Sequence, residues 1–230
     1  MNVLAIGAHP DDIEMGCFAT LAKHYFDGDK IFAVLMTNGE LGGDVRVRRM
    51  EQEAAAKEID MELYFGNFPD GDVRENAAIV TFLDNIIKKN EIDVVYTHSE
   101  KDRHQDHRAI ARASISASRT VNELYCYEDL SLVSSFNPQL FVDVTDTFHV
   151  KKSALKKYES QIDRVFIDGL ETKILRVDYA FRGVIIPKGN HEVTFTYDPN
   201  SFKIGLMLAL SGIIGTGGVA GYLWKIKFRS

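Results

Sequence analysis

Cysteine is nearly missing from this 230-residue chain: only Cys17 and Cys126 occur. They lie far apart with no CxxC spacing, which excludes a disulfide framework and a cysteine-built zinc site; both thiols are expected to be buried and reduced. A basic surplus is missing too. Lys and Arg number 27 against 33 Asp and Glu, a formal net charge of -6, whereas nucleic-acid binders are usually basic. No G-x-G-x-x-G follows the first apolar segment and no P-loop motif is present, which argues against a nucleotide-binding α/β domain. No secretion signal is visible either. Residues 1–8 are apolar but carry no basic leader, and His9-Pro10-Asp11-Asp12 interrupts them at once. Internal repeats and low-complexity stretches are absent.

What remains is a chain long enough for one sizeable core and a smaller appendage. Short apolar runs at 2–8, 30–36, 61–65, 93–97 and 124–127 read as strands. Segments 14–27, 45–58, 76–89 and 107–118 read as helices, the third with Ile79, Phe82, Leu83, Ile86 and Ile87 on one side. The alternation predicts an α/β fold, a Rossmann-like and mostly parallel sheet with helices on both faces. After residue 161 the texture changes. Residues 173–187 and 191–197 alternate as half-buried antiparallel strands do, with Pro187-Lys188-Gly189-Asn190 as the turn between them.

Residues 204–224 are 21 residues without a charge, followed by Lys225, Lys227 and Arg229. That length suits one transmembrane helix, since a crossing needs about 20 apolar residues, and the basic flank suits an interface. The run holds six glycines, and a buried hairpin at Gly215-Thr216-Gly217-Gly218 is the competing reading. The expected organisation is a catalytic domain at 1–163, a β-rich segment at 164–203, a membrane helix at 204–224 and a basic tail at 225–230.

The chemistry-bearing residues sit where strands end. In a parallel α/β sheet, ligands gather at the carboxyl ends of strands. His9, Asp11 and Asp12 follow the first strand; His104 and His107 follow the fourth. Imidazoles and a carboxylate around an open position are what catalytic zinc requires. Asp11 and Asp12 are adjacent, so their side chains diverge: one can bind a metal while the other acts as base toward a water. One of the two histidines can ligate, and the other can stabilise an oxyanion or protonate a leaving amine. Asp106 is suited to holding a histidine in one tautomer. Singly, each has a plainer use. Asp11, Asp12 or Asp106 would serve as a helix N-cap, and a histidine after a strand as packing. Two such clusters at one sheet edge argue against capping alone.

Ala8-His9-Pro10-Asp11-Asp12-Ile13-Glu14 with Gly16, Thr37-Asn38-Gly39-Glu40-Leu41, Arg48 with Glu51, Phe68-Pro69-Asp70-Gly71 and Asp102-Arg103-His104-Gln105-Asp106-His107 together resemble the LmbE/PIG-L deacetylases. Those are zinc hydrolases that remove the acetyl group from N-acetylglucosamine-type sugars. The resemblance spans residues 1–163, including Phe136-Asn137-Pro138. It implies His9, Asp12 and His107 as ligands of one Zn2+ per chain, or of another divalent transition metal. It implies Asp11 as general base, His104 as general acid or oxyanion stabiliser, and Arg48 and Asp70 as contacts to sugar hydroxyls. The competing reading of Arg48 is a solvated residue paired with Glu51, and of Asp70 a turn residue before Gly71. Glu14 either orients His9 from behind or favours a helix N-terminus.

Two departures stand out. Gln105 replaces the proline common between the histidine positions, with the spacing kept. In the C-terminal third, Tyr179-Ala180-Phe181-Arg182 is a faint echo of the family's ending. Residues 176–197, Ser201-Phe202-Lys203 and the apolar run resemble instead the last β segment and membrane helix of bacterial multi-pass glycosyltransferase-like membrane proteins, which raises a fusion. The expected function is metal-assisted hydrolysis of an N-acetyl group on an amino sugar or glycoconjugate. The expected location is the membrane, with the catalytic domain in the cytoplasm. The rival is a membrane-anchored glycan-binding or scaffolding protein with a degenerate deacetylase domain. The sequence assigns no oligomeric state.

Overall fold

The computed structural model describes residues 1–129 and 131–161, together with residues 188–190 and five strands within 164–196. The main sheet comprises β1 (Asn2–Gly7), β2 (Lys30–Thr37), β3 (Glu62–Phe68), β4 (Val94–Thr97) and β5 (Glu123–Cys126). Its order is β3-β2-β1-β4-β5, and every pairing is parallel. On β1, Val3 and Ala5 join one apolar cluster while Leu4 and Ile6 join the other. A strand buried on both faces needs a continuous apolar run, which is what its sequence supplies.

Helices cover both faces. After β1 come α1 (Asp12–Met15) and α2 (Phe18–Phe26), after β2 comes α3 (Val45–Ala56), after β3 comes α4 (Ala77–Lys89), after β4 comes α5 (Gln105–Ala117), and later α6 (Phe148–Leu155). Phe18, Leu21, Ala55, Val150 and Ala154 pack on one face of the sheet. Ile79, Leu83, Ile86, Ile110 and Ala113 pack on the other. The spacing of the α4 residues follows the helical period, so the apolar stripe and the buried stripe coincide. Asp44 and Asn76 cap α3 and α4 through their side chains.

The helix expected at 14–27 is broken in two. Gly16 leaves helical geometry because its backbone packs against an aromatic ring: a Cβ there would lie 2.4 Å from Tyr127 Cδ2. The expected 45–58 helix ends at Ala56 and continues as a 3-10 turn over Lys57–Ile59. Helix α6 has no counterpart among the sequence expectations.

The topology creates the crevice. The chain steps outward from β1 through β2 to β3, crosses back through α4, and continues as β4 and β5 on the other side of β1. The reversal falls between β1 and β4, so the loops leaving these strands diverge and open a ligand site at their carboxyl ends.

Later strands are β6 (Arg164–Ile167), β7 (Leu170–Lys173), β8 (Leu175–Asp178), β9 (Phe181–Gly183) and β10 (Val193–Thr196). The chain groups into two units. Met1–Ile162 and Leu175–Gly183 form the first, with β8 and β9 as an antiparallel pair; β6, β7 and β10 form a sheet in the second. Among the described residues β10 pairs with β6, not with the segment before the turn at 187–190, as a simple hairpin would require. No helix among the described residues is long and apolar enough to cross a membrane. The expected membrane helix at 204–224 and basic tail at 225–230 lie outside the described residues.

Candidate metal centre

The loop leaving β1 is held from both sides. The Thr37 N–H and hydroxyl both donate to the Ala8 carbonyl at 2.9 Å, and the Ala8 N–H donates to His98 Nε2 at 3.0 Å. Three residues beyond this anchored point Asp11 adopts φ 95°, a region costly for a residue with a Cβ. Asp11 occupies the N-cap position of α1 but makes no side-chain capping bond. The capping explanation for this carboxylate therefore fails.

Asp12 lies at the centre of the cluster. Its Oδ2 is 3.2 Å from His9 Nδ1, 3.2 Å from His98 Nε2 and 3.4 Å from His107 Nε2. Two ligand atoms bound about 2.0–2.1 Å from one tetrahedral zinc stand about 3.3 Å apart, a separation close to those of Asp12 from His9 and from His107. His107 is 2% exposed, yet its Nε2 has no hydrogen-bond partner among the described residues. An unsatisfied buried nitrogen is costly, and a cation at this spot would satisfy it. Ligand atoms of His9, His104 and His107 also come within 4.8 Å of one another, as do those of His98, Asp102, His107 and Asp129, and of His9, Asp70 and Asp106. The donor set of imidazoles and carboxylates fits a divalent transition metal such as zinc.

Around this centre every histidine is oriented. His107 Nδ1 pairs with Asp102 Oδ2 at 3.0 Å, and its ring stacks on that of His98 with centroids 3.8 Å apart. His104 is the N-cap of α5, accepting the Asp106 N–H on Nδ1 at 3.2 Å; its proton therefore sits on Nε2. Asp106 does not cap. Its carboxylate accepts the Gly71 N–H at 2.7 Å and the Val73 N–H at 3.2 Å, and lies 3.3 Å from His9 Nε2. One buried carboxylate thus ties the loop after β3 to the histidine after β1.

Arg48 and Asp70 both reach this edge. Arg48 is 4% exposed, so it is no solvated residue, and Glu51 is engaged elsewhere by the Ser160 N–H and hydroxyl at 2.6 Å. Arg48 Nη2 donates to the Pro10 carbonyl at 2.6 Å and lies 3.6 Å from Asp11 Oδ2. Its Nε has no hydrogen-bond partner among the described residues. Asp70 accepts the Leu41 N–H at 3.0 Å and lies 3.0 Å from His9 Nε2. Glu14 is fully buried and accepts from Gln52 Nε2 at 2.8 Å, and Gln52 in turn accepts from the Tyr158 hydroxyl. Glu14 is thus held by Gln52 of α3 rather than by His9, and burial pushes its carboxyl up to about 7.

Charge divides the histidines into two kinds. Burial opposes a charge on His9, but Asp12 and hydrogen bonds with Asp106, Asp12 and Asp70 push its pKa up to about 12. His107, also opposed by burial, is pushed up to about 10 by Asp12 and Asp102. His98 and His104 go the other way, down to about 4, through burial and the charge of His107. Burial would raise Asp12, yet His107, His9 and His98 hold it well below the usual carboxylate range. Two neutral imidazoles thus stand beside two that attract protons, or a metal in their place.

The family model described as GlcNAc-PI de-N-acetylase, PIG-L, matches residues 4–118. That span is half of the chain and includes His9, Asp11, Asp12, Arg48, Asp70 and every residue of the second histidine cluster. The chain belongs to the PIG-L family of deacetylases. An uncharacterized deacetylase of Escherichia coli K12, YaiS, is 42% identical over 173 residues, 69% of this chain and 91% of that protein. A diacetylchitobiose deacetylase of Thermococcus kodakarensis is 25% identical over 186 residues, 70% of each chain. Among solved structures, the 4-carboxy-2-hydroxymuconate hydratase GalB of Pseudomonas putida superposes with a TM-score of 0.62 at 20% identity, covering 70% of this chain and 79% of that one. The scaffold is therefore shared with a different chemistry, and activity has to be argued from the site.

In this PIG-L-family chain the structure adds four residues that motif spacing did not single out for a role: His98, Asp102, Asp129 and Ser131. His98 follows directly on β4, and the rule that sites gather at strand ends was the signal available for it. Asp129 and Ser131 follow β5 in a stretch without periodicity, and Asp102 was visible only as a letter of the second motif.

Proposed function

We propose that this protein hydrolyses the N-acetyl group of an N-acetylglucosamine-type sugar or glycoconjugate, with one zinc ion, or another divalent transition metal, held by His9, Asp12 and His107. The observation that carries the proposal is the buried His107 Nε2, which makes no hydrogen bond of good geometry among the described residues and faces, at 3.4 Å, an Asp12 oxygen that is itself 3.2 Å from His9 Nδ1. The relationship to a diacetylchitobiose deacetylase supports an acetylated amino sugar as the substrate class. A zinc ion, when bound, supplies Lewis acidity, which polarises a carbonyl and lowers the pKa of water toward about 7.

The chain's own groups do the rest. Asp11 takes the proton of the attacking water and passes it to the amine nitrogen as the C–N bond breaks, releasing acetate and the free amine; its carboxylate is directed by the Pro10–Asp11 turn and by Arg48, whose Nη2 lies 3.6 Å away. His104, neutral and carrying its proton on Nε2, donates a hydrogen bond to the oxygen that becomes negative as the acetyl carbon turns tetrahedral. Arg48 Nε is a buried donor without a partner among the described residues, which a sugar oxygen would satisfy. Asp70 is the matching acceptor across the site. Asp106 keeps His9 and the loop at 70–73 in register.

The rival reading, a degenerate glycan-binding domain, has no use for a strained carboxylate beside a metal-competent histidine pair. Acetate release from a panel of N-acetylglucosamine conjugates, with and without a chelator, tests the proposal. Attachment to a membrane through residues 204–224, with the catalytic domain in the cytoplasm, is a part of the proposal drawn from sequence. Protease digestion of the N-terminal domain from outside intact cells would contradict it.

A further inference from the structure

We infer that Asp102 is a positioning residue that fixes the ring proton of His107 on Nδ1 and thereby leaves Nε2 as the metal-binding atom. The inference rests on the reading above that His107 holds the metal, and extends it to a residue outside the proposed ligand set.

The argument comes from which donors face Asp102. It is 3% exposed. One oxygen, Oδ1, accepts the His104 main-chain N–H at 2.7 Å and the Ser131 hydroxyl at 2.6 Å. The other, Oδ2, faces His107 Nδ1 at 3.0 Å. The remaining polar groups near that nitrogen are farther, Asp129 Oδ2 at 3.4 Å and Ser131 Oγ at 3.5 Å. Two donors thus anchor one side of the carboxylate, so its other oxygen is left to accept from the ring. A ring that donates from Nδ1 presents its lone pair at Nε2, toward Asp12.

The amide isostere reverses this. In Asp102→Asn the side-chain oxygen has to stay on the side of the His104 N–H, because an amide NH2 cannot face a main-chain donor. The NH2 then faces His107 Nδ1, which must accept, and the ring proton moves to Nε2. Shape is preserved while the ligand atom is blocked, the wrong-tautomer logic known from hydrolytic triads. Asp102→Ala makes no such demand. It removes an acceptor but leaves Asp129 and Ser131 to take the Nδ1 proton. A merely structural role predicts the opposite ranking, with the cavity-forming Ala worse than the isosteric Asn.

Zinc affinity of the full chain, measured by competition with a chelator, separates these cases for wild type, Asp102→Asn and Asp102→Ala. Thermal unfolding in EDTA checks that each variant folds. Asp102→Asn should bind zinc about 10- to 100-fold more weakly than wild type, and more weakly than Asp102→Ala. An Asn variant within about threefold of wild type, or one no weaker than the Ala variant, overturns the inference. Should either variant fail to fold, the 15N ring spectrum of zinc-loaded wild type decides: a protonated Nδ1 on His107 supports the assignment, and a protonated Nε2 overturns it. A wild-type chain that binds no zinc refutes the metal centre itself, a result distinct from a zinc-binding wild type matched by the Asn variant.

Discussion

Arg48 sets its Nη2 3.6 Å from the Asp11 carboxylate while the same nitrogen donates to the Pro10 carbonyl at 2.6 Å. One guanidinium therefore grips both the backbone and the side chain of the turn that holds Asp11 at φ 95°. The glycines of the loop after β2 make room for it. A Cβ on Gly39 would lie 2.6 Å from Arg48 Nε, and one on Gly42 2.7 Å from Nη1.

Replacing Arg48 by lysine keeps a charge but loses the planar fork. Arg48→Lys should lower kcat by about 10- to 100-fold, the scale of a misplaced catalytic group, with zinc content unchanged. Gly39→Ala should reproduce part of that defect, since Gly39 sits at φ 64° and the added methyl displaces the same side chain; it should also destabilise the fold by about 1–3 kcal/mol. Steady-state kinetics, metal analysis and thermal unfolding read these out. Full activity in both variants would remove Arg48 from the account.

Asp11 and His104 are assigned to proton transfer and oxyanion stabilisation. Asp11→Asn should reduce turnover by about 10²- to 10⁴-fold, and His104→Ala by about 10²- to 10³-fold. Both should retain one zinc per chain. Loss of zinc in the Asp11 variant would instead make that residue a ligand, and normal turnover in either would cancel its role.

The histidines give the metal-free protein a characteristic pH response. His9 and His107 have folded pKa values of about 12 and about 10 against 6.5 in the unfolded chain. Their stabilising contribution is fully present below pH 6.5 and is lost as the pH rises toward those values. His98 and His104, at about 4, contribute stability that is present above 6.5 and lost as the pH falls through 4. EDTA-treated protein should therefore be most stable near the ordinary histidine pKa and less stable at pH 9. Zinc affinity should rise steadily over the same alkaline range, because binding displaces the protons held on His9 and His107. Unfolding curves and chelator competition at a series of pH values check both trends. An affinity that does not change with pH would contradict them.

Much of this site is legible in the sequence because its parts sit at strand ends. A buried strand, an abrupt polar motif and a helix are local signals, and they located His9, Asp11, Asp12, His104 and His107. The alternation of strands and helices gave the parallel sheet by the same local logic. What was not legible depends on long-range packing. The break at Gly16 comes from the ring of Tyr127, more than a hundred residues away. Helix α6 carries Val150 and Ala154 inward but exposes Phe148, so its stripe is too weak to read alone. Asp102, Ser131 and Asp129 gather on His107 from two different loops. The pairing of β10 with β6 is likewise a tertiary choice that alternation cannot reveal.

The central claim is metal-assisted deacetylation, and acetate release by the purified chain from N-acetylglucosamine conjugates tests it most directly. The account predicts release that stops when a chelator strips the metal, returns when one equivalent of zinc per chain is added back, and is lost in Asp11→Asn. Release that continues unchanged in the metal-stripped protein, or no release from any conjugate by the zinc-loaded chain, would contradict it.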